Sequence, residues 1–301
     1  MADARQAVPE ATFAADVRAA LRRGLPAAIL LALGVGLTVA VGANLSNAFP
    51  SHDKPYGWPG AAVLEGGVAM VRPELVLATT LPALLLGVRT LPTVRKGRND
   101  LMPGLVAGAV LIPMALLAAT LVGAAAAAQS PAASYEAFWA AHTLLALSAF
   151  ALGAAATALA GRRHGAVAAL GAWTVFAVLM DDTVQWQVFR TQGYDNLAAG
   201  LLPGWFYAAQ VLSPVSAYRA VLILWRPGFR NYLEHAALDK AALPGWLSPG
   251  TVALVMMLLW VALPLAVATF GWRWRRVPET HVEPLPTSVA PAPAVADELD
   301  E

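Results

Sequence analysis

Six apolar runs, each long enough or nearly long enough to cross a lipid bilayer, constrain the fold more than any other feature. A helix needs about 20 mostly apolar residues to cross roughly 30 Å of hydrocarbon. The runs lie near residues 24–41, 72–88, 105–128, 138–160, 166–189 and 251–272. The second is the weakest, because Pro73, Glu74 and Pro82 interrupt or flank it. The pattern predicts an all-α, polytopic membrane protein with six transmembrane helices.

The composition agrees with a chain solvated by lipid. Of the 301 residues, 58% are hydrophobic and 13% are charged, whereas an ordinary soluble domain has about 25% charged residues. So few charges cannot cover the surface of a soluble protein of this size. The net charge of +1 gives no reason to expect nucleic acid as a partner. The absence of cysteine excludes disulfides, cysteine-ligated metal sites and thiol nucleophiles.

Positive residues predict the orientation, because short loops rich in Lys and Arg stay on the cytoplasmic side. They cluster before the first run and then in every second loop: Arg18, Arg22 and Arg23; Arg89, Arg95, Lys96 and Arg98; Arg162 and Arg163; and Arg273, Arg275 and Arg276. We therefore expect a plasma (inner) membrane protein with both termini in the cytoplasm. Residues 1–23 form the cytoplasmic N-terminal segment and 24–277 the transmembrane domain. The acidic, Pro- and Ala-rich tail 278–301 is expected to be disordered.

The stretch "LSPVSAYR", Leu212–Arg219, interrupts the apolar residues between the fifth and sixth runs. Ser213 is a preferred helix N-cap, Pro214 suits the first turn, and Ser216 stands where a capping-box side chain reaches back. This predicts a short extracytoplasmic helix, Pro214–Trp225. Local capping is the simplest interpretation of the motif, and a direct role in substrate handling is the alternative.

Three ionisable residues fall inside predicted spans, where charge is costly unless it is paired or hydrated. His142 lies near the outer end of the fourth span, and Asp181 and Asp182 lie at a similar level in the fifth. Pairing of the imidazole with a carboxylate, with Arg190 as a second partner, is one interpretation. A role in the substrate path or in gating is another, and metal binding or catalysis is a third. No metal site is predicted.

The chain resembles the permease subunits of ABC-2 type exporters, and especially the membrane subunit of the nitrous-oxide-reductase maturation transporter. That group has an Asn-Pro-x-Asp-x-[Phe/Tyr]-Arg element after the fifth span. In this chain the matching positions are Ser213, Pro214, Ser216, Tyr218 and Arg219, with serines in place of Asn and Asp. Ala172–Asp182 is similar to the fifth span of the group. The resemblance covers roughly residues 135–276; Gly87–Asp100 lacks the Glu-rich element of the relatives.

The resemblance implies a permease that couples ATP hydrolysis by a separate ATPase subunit to substrate movement. The chain itself has no G-x-x-x-x-G-K-[ST] loop, so ATP would be bound by the partner and the chain needs no cofactor. A homodimer, or pairing with a second permease, is also implied. The residues that would face the ATPase are Arg18, Arg22, Arg23, Arg95, Lys96 and Arg98. Orientation of the membrane helices is the alternative role of these residues.

Two other classes of protein remain open from the residues. An intramembrane hydrolase would use Ser148, His142 and Asp181 in a triad-like order, although Ser148 lies six residues after His142 and on nearly the opposite helix face. The sequence contains neither a G-x-S-x-G nor an H-E-x-x-H motif. The third class is a membrane anchor or assembly protein that transports nothing.

Overall fold

Helices make up nearly all of the structure. The computed structural model describes residues 9–48, 73–91, 101–126, 134–179, 190, 212–225 and 249–274, and these ranges contain no strand. The helices are α1 (Pro9–Ala48), α2 (Pro73–Thr90), α3 (Met102–Ala126), α4 (Ser134–Trp173), α5 (Pro214–Trp225) and α6 (Pro249–Trp274). A π-helical segment, Thr174–Leu179, follows α4 directly. The prediction of an all-α protein is confirmed for the described ranges.

Four of the described helices are long and apolar enough to cross a membrane. The qualifying stretches are Phe13–Ala40, Met102–Leu121, Trp139–Ala177 and Thr251–Trp274, and α2 contributes a shorter apolar stretch, Leu75–Thr90. Prolines inside helices are tolerated better in membranes than in water, and four of these helices contain one: Pro26, Pro82, Pro113 and Pro264. The structure is thus compatible with insertion into a membrane through several helices. Since α1 begins at Pro9, part of the segment 1–23 is helical.

Helix α4 reverses direction at Gly161. This residue has φ 78° and ψ 164°, a conformation that side chains disfavour. A Cβ placed on Gly165 would lie 2.9 Å from the Thr157 Cα, whereas residues eight apart in a continuous helix are separated by about 12 Å. The chain therefore folds back, and we call the two halves α4a (134–160) and α4b (162–173). The basic loop expected between the fourth and fifth runs is this tight turn.

Glycines bring α2, α3 and α4a into close contact. A Cβ on Gly87 would overlap the Phe150 carbonyl, and a Cβ on Gly153 would overlap the Leu84 carbonyl, so the α2 and α4a backbones touch there. The Phe150 ring lies directly over Gly108 of α3. Membrane helices gain packing energy from such small residues, because hydrophobic burial does not drive them together in lipid. These contacts fix α4a in the centre of the bundle.

The ends of α2, α4a and α6 and the start of α3 meet on one side of the bundle. Leu91, Leu101, Ala158 and Trp272 belong to one buried apolar cluster there. Arg23 of α1 joins the same region, because its Nη2 donates to the Thr90 carbonyl at 3.2 Å. We call this side the arginine end, since the arginines with described side chains in α1, α2, α4 and α6 lie there: Arg18, Arg22, Arg23, Arg89, Arg162, Arg163 and Arg273.

Candidate functional site

The candidate site lies at the start of α5, which packs against α4 and α6. The Ser213 side chain caps the helix, because its Oγ accepts a hydrogen bond from the Ser216 amide at 3.4 Å. The Ser213 carbonyl accepts the first helical bond, from the Ala217 amide at 2.9 Å. Pro214 occupies the first turn, where its missing N–H leaves no partner unsatisfied. The helix has the bounds expected from its capping residues, and Arg219 lies within it.

Tyr218 and His142 meet in the interior and form the centre of the site. Both side chains are fully buried. The Tyr218 hydroxyl lies 3.2 Å from both the Nδ1 and the Nε2 of His142. The two rings pack edge to face, with centroids 5.1 Å apart and planes at 84°. The tautomer of His142 decides which group donates the hydrogen bond.

Tyr218 belongs to the main buried apolar cluster of the bundle. Leu145 of α4, Val215 and Val221 of α5, and Met257 of α6 belong to the same buried cluster. A polar group in such surroundings is costly unless it is hydrogen-bonded. The contact between Tyr218 and His142 therefore positions α5 on α4 as well as satisfying two polar side chains.

The site and the arginine end lie at opposite ends of α4a. At 1.5 Å per residue, about 28 Å of helix separates His142 from Gly161. This distance is close to the thickness of the hydrocarbon layer, roughly 30 Å. Trp139, one turn before His142, donates from its Nε1 to the Pro113 carbonyl at 3.2 Å and ties this end of α4a to α3.

The other residues of the predicted polar site are not brought to His142 by the described structure. Asp181 and Asp182 lie outside the described residues, and the Arg190 side chain is exposed. Ser148 is buried, but its hydroxyl donates to the Leu145 carbonyl at 2.7 Å rather than to His142. Among the described residues, no group of three His, Cys, Asp or Glu side chains could hold a metal ion.

The described residues that were predicted to face an ATPase differ in their exposure. Arg18 and Arg22 are exposed, and the Arg18 Nε donates to the Ala14 carbonyl of its own helix at 3.3 Å. Arg23 is half-buried against the end of α2, so it contacts a second helix. Arg95, Lys96 and Arg98 lie outside the described residues.

Sequence reasoning singled out Tyr218 and His142 separately but missed their contact. A signal was present, because a tyrosine hydroxyl inside an apolar helix needs a partner, and His142 was expected at the outer level of the bilayer. No protein-family model and no curated protein matches this chain.

Proposed function

We propose that this chain is the membrane-spanning permease subunit of an ABC-2 type exporter. It crosses the plasma membrane six times, through α1, α2, α3, α4a, α4b with its π-helical extension, and α6. The short helix α5 lies on the extracytoplasmic side between the fifth and sixth spans. A separate ATPase subunit binds and hydrolyses ATP, and two permease chains, identical or different, form the transport path.

The observation that carries this proposal is the capped helix α5 packed at the end opposite the arginines. Its first residues, Ser213, Pro214, Ser216, Tyr218 and Arg219, are those that resemble the element following the fifth span in these permeases. The reversal at Gly161 supports the count of six, because it divides one long apolar stretch into two antiparallel helices. The arginine end supports cytoplasmic termini, since positive residues remain on that side.

The arginine end also offers a surface for an ATPase. Arg18 and Arg22 project from α1 and are exposed, and the proposed contact continues into residues 95–98. In the same proposal His142 belongs to the gate at the far end, where its contact with Tyr218 sets the position of α5. The proposal also assigns Asp181 and Asp182 to this gate.

Reconstitution into vesicles with a candidate ABC ATPase subunit from the same organism tests the function. We expect ATP turnover to rise severalfold when the chain is added. Arg22→Gln should reduce this stimulation, because it removes an exposed charge from the proposed contact. Arg273→Gln is the matched control, since it removes an exposed arginine at the same end outside that contact and should change little.

Two outcomes would contradict the proposal. Proteolytic or lipolytic activity of the purified chain without an ATPase would indicate an intramembrane hydrolase. Binding of the ATPase with no change in turnover would indicate an anchor or assembly protein. The Ser148 hydroxyl donates its hydrogen bond to the Leu145 carbonyl, and this does not favour the hydrolase. A nucleophilic serine would instead be hydrogen-bonded to its general base, here His142.

A further inference from the structure

Arg23 holds a charged donor that the described residues do not satisfy. Its Nη2 donates to the Thr90 carbonyl at 3.2 Å, but its Nε is buried without a hydrogen-bond partner in the part of the chain that the structure describes. A buried donor left unsatisfied costs about 1–3 kcal/mol, and more when the group is charged. The side chain as a whole is only half-buried, so an acceptor can approach the rest of the guanidinium from outside.

The surroundings of Arg23 call for an anion. Burial lowers the pKa of Arg23, the positive charge of Arg162 in the turn of α4 lowers it further, and the Asp16 carboxylate raises it. Asp16 is the one carboxylate among the side chains that the structure describes, and this end of the bundle carries seven arginines. Such an excess of positive charge attracts anions from the surrounding solution and from the membrane surface.

The face of α1 that carries Arg23 continues as an apolar stripe. Pro26, Leu30, Leu33 and Leu37 follow Arg23 at helical spacing, and all four are exposed. Leu30 is 54% exposed and Leu37 is 60% exposed, so no described part of the chain covers them. From Arg23 to Leu37 the stripe is about 21 Å long at 1.5 Å per residue, which is the scale of one lipid leaflet.

We propose that this surface binds one anionic phospholipid, with its phosphate between Arg23 and Arg162 and an acyl chain along Pro26–Leu37. Guanidinium groups match phosphate oxygens in geometry and form short, charge-assisted hydrogen bonds. A lipid fits better than free phosphate, because the apolar stripe begins one turn after Arg23 on the same face of α1. This inference does not depend on the transport function proposed above.

Lipid titration of the full-length, delipidated chain in neutral detergent tests the site, with native mass spectrometry as the readout. Phosphatidylglycerol should bind at least tenfold more tightly than phosphatidylcholine with the same acyl chains. Arg162→Gln should weaken phosphatidylglycerol binding about tenfold, because it removes one charge-assisted contact. Arg23→Lys should weaken it too, since lysine keeps the charge but lacks the planar guanidinium that matches phosphate oxygens.

Arg163→Gln is the matched control, because it removes an exposed arginine one position along the turn from Arg162 and outside the proposed contact. It should change the affinity less than about twofold. Equal weakening by Arg162→Gln and Arg163→Gln would overturn the site in favour of general charge attraction. Equal binding of phosphatidylcholine, or displacement of the lipid by inorganic phosphate at matched ionic strength, would also overturn it. Arg162 is exposed, so that variant decides the matter even if Arg23→Lys does not fold.

Discussion

Tyr218 and His142 are far apart in sequence, but their buried polar side chains form a hydrogen bond with each other. The tyrosine brings a hydroxyl into an apolar interior, and the histidine brings two ring nitrogens. A hydrogen bond between buried groups contributes about 0.5–1.5 kcal/mol net, but losing one partner exposes the other to the full cost of desolvation. The hydrogen bond itself therefore contributes a small net free energy. Removing one partner would destabilise the placement of α5 more, because the other partner would be left buried and unsatisfied.

Tyr218→Phe should lower the free energy of unfolding in detergent by about 1–3 kcal/mol, because it keeps the ring and removes the hydroxyl. Unfolding followed by intrinsic tryptophan fluorescence measures the change. Ser148→Ala is the control, since the Ser148 hydroxyl donates to a carbonyl of its own helix and its loss should destabilise the protein less than the loss of the Tyr218 hydroxyl. Equal effects of the two variants would show that the contact with His142 contributes nothing special.

At the scale of elements, the turn at Gly161 determines how the chain re-enters the bundle. The left-handed φ of this residue allows α4b to begin immediately and to pack back on α4a near Thr157. A residue with a Cβ would have to hold a conformation that costs about 1–3 kcal/mol. The turn is therefore specified by one backbone position.

Gly161→Ala should destabilise the protein by about 1–3 kcal/mol through this backbone strain. Gly171→Ala is a matched control in the same helical hairpin, because a Cβ there meets no atom within 4 Å. Replacing an exposed helical glycine by alanine should stabilise the protein by about 0.5–1 kcal/mol. Thermal unfolding of the two variants beside the unchanged protein should give midpoint shifts of opposite sign. A neutral Gly161→Ala would mean that the turn does not require a positive φ.

At the scale of the whole molecule, the two ends of the bundle have opposite character. Among the residues that the structure describes, one end carries seven arginines, and the other carries the capped helix α5 and the buried pair. If the protein lies in the membrane as proposed, these ends face opposite aqueous compartments. The orientation can then be measured directly on the intact chain.

Single-cysteine labelling suits this protein, because it has no cysteine of its own. Leu212→Cys and Arg163→Cys place a thiol at an exposed position on each end. A membrane-impermeant maleimide should label Leu212→Cys in intact cells and Arg163→Cys only after permeabilisation. The cysteine-free chain is the control for background. Labelling of Arg163→Cys in intact cells would reverse the proposed orientation.

Much of this architecture could be predicted from local sequence signals. Apolar length predicts helices that suit a membrane, because lipid forces backbone groups to bond within a helix. The bounds of α5 follow from Ser213 and Pro214, since capping is a local effect. The gathering of Arg23, Arg89 and Arg162 at one end follows from their position in alternate loops.

Contacts between distant segments could not be predicted in the same way. Nothing local to His142 identifies Tyr218 as its neighbour, because the choice depends on how α5 packs on α4. The backbone contact of Gly87 with α4a likewise depends on the rotation of both helices. The sequence predicted a basic loop around Gly161. It could not predict the tight turn, because a sequence does not reveal which glycine adopts a positive φ.

The tight turn at Gly161 also limits how the centre of the bundle can move. Two helices joined by one residue cannot slide apart along their axes, so their relative motion is a rotation about that pivot. The displacement of each helix then grows with distance from Gly161 and is greatest at the opposite end of the helix. Over about 28 Å of helix, a tilt of about 10° would shift the tip beside Tyr218 by about 5 Å, while the arginines at the pivot would hardly move.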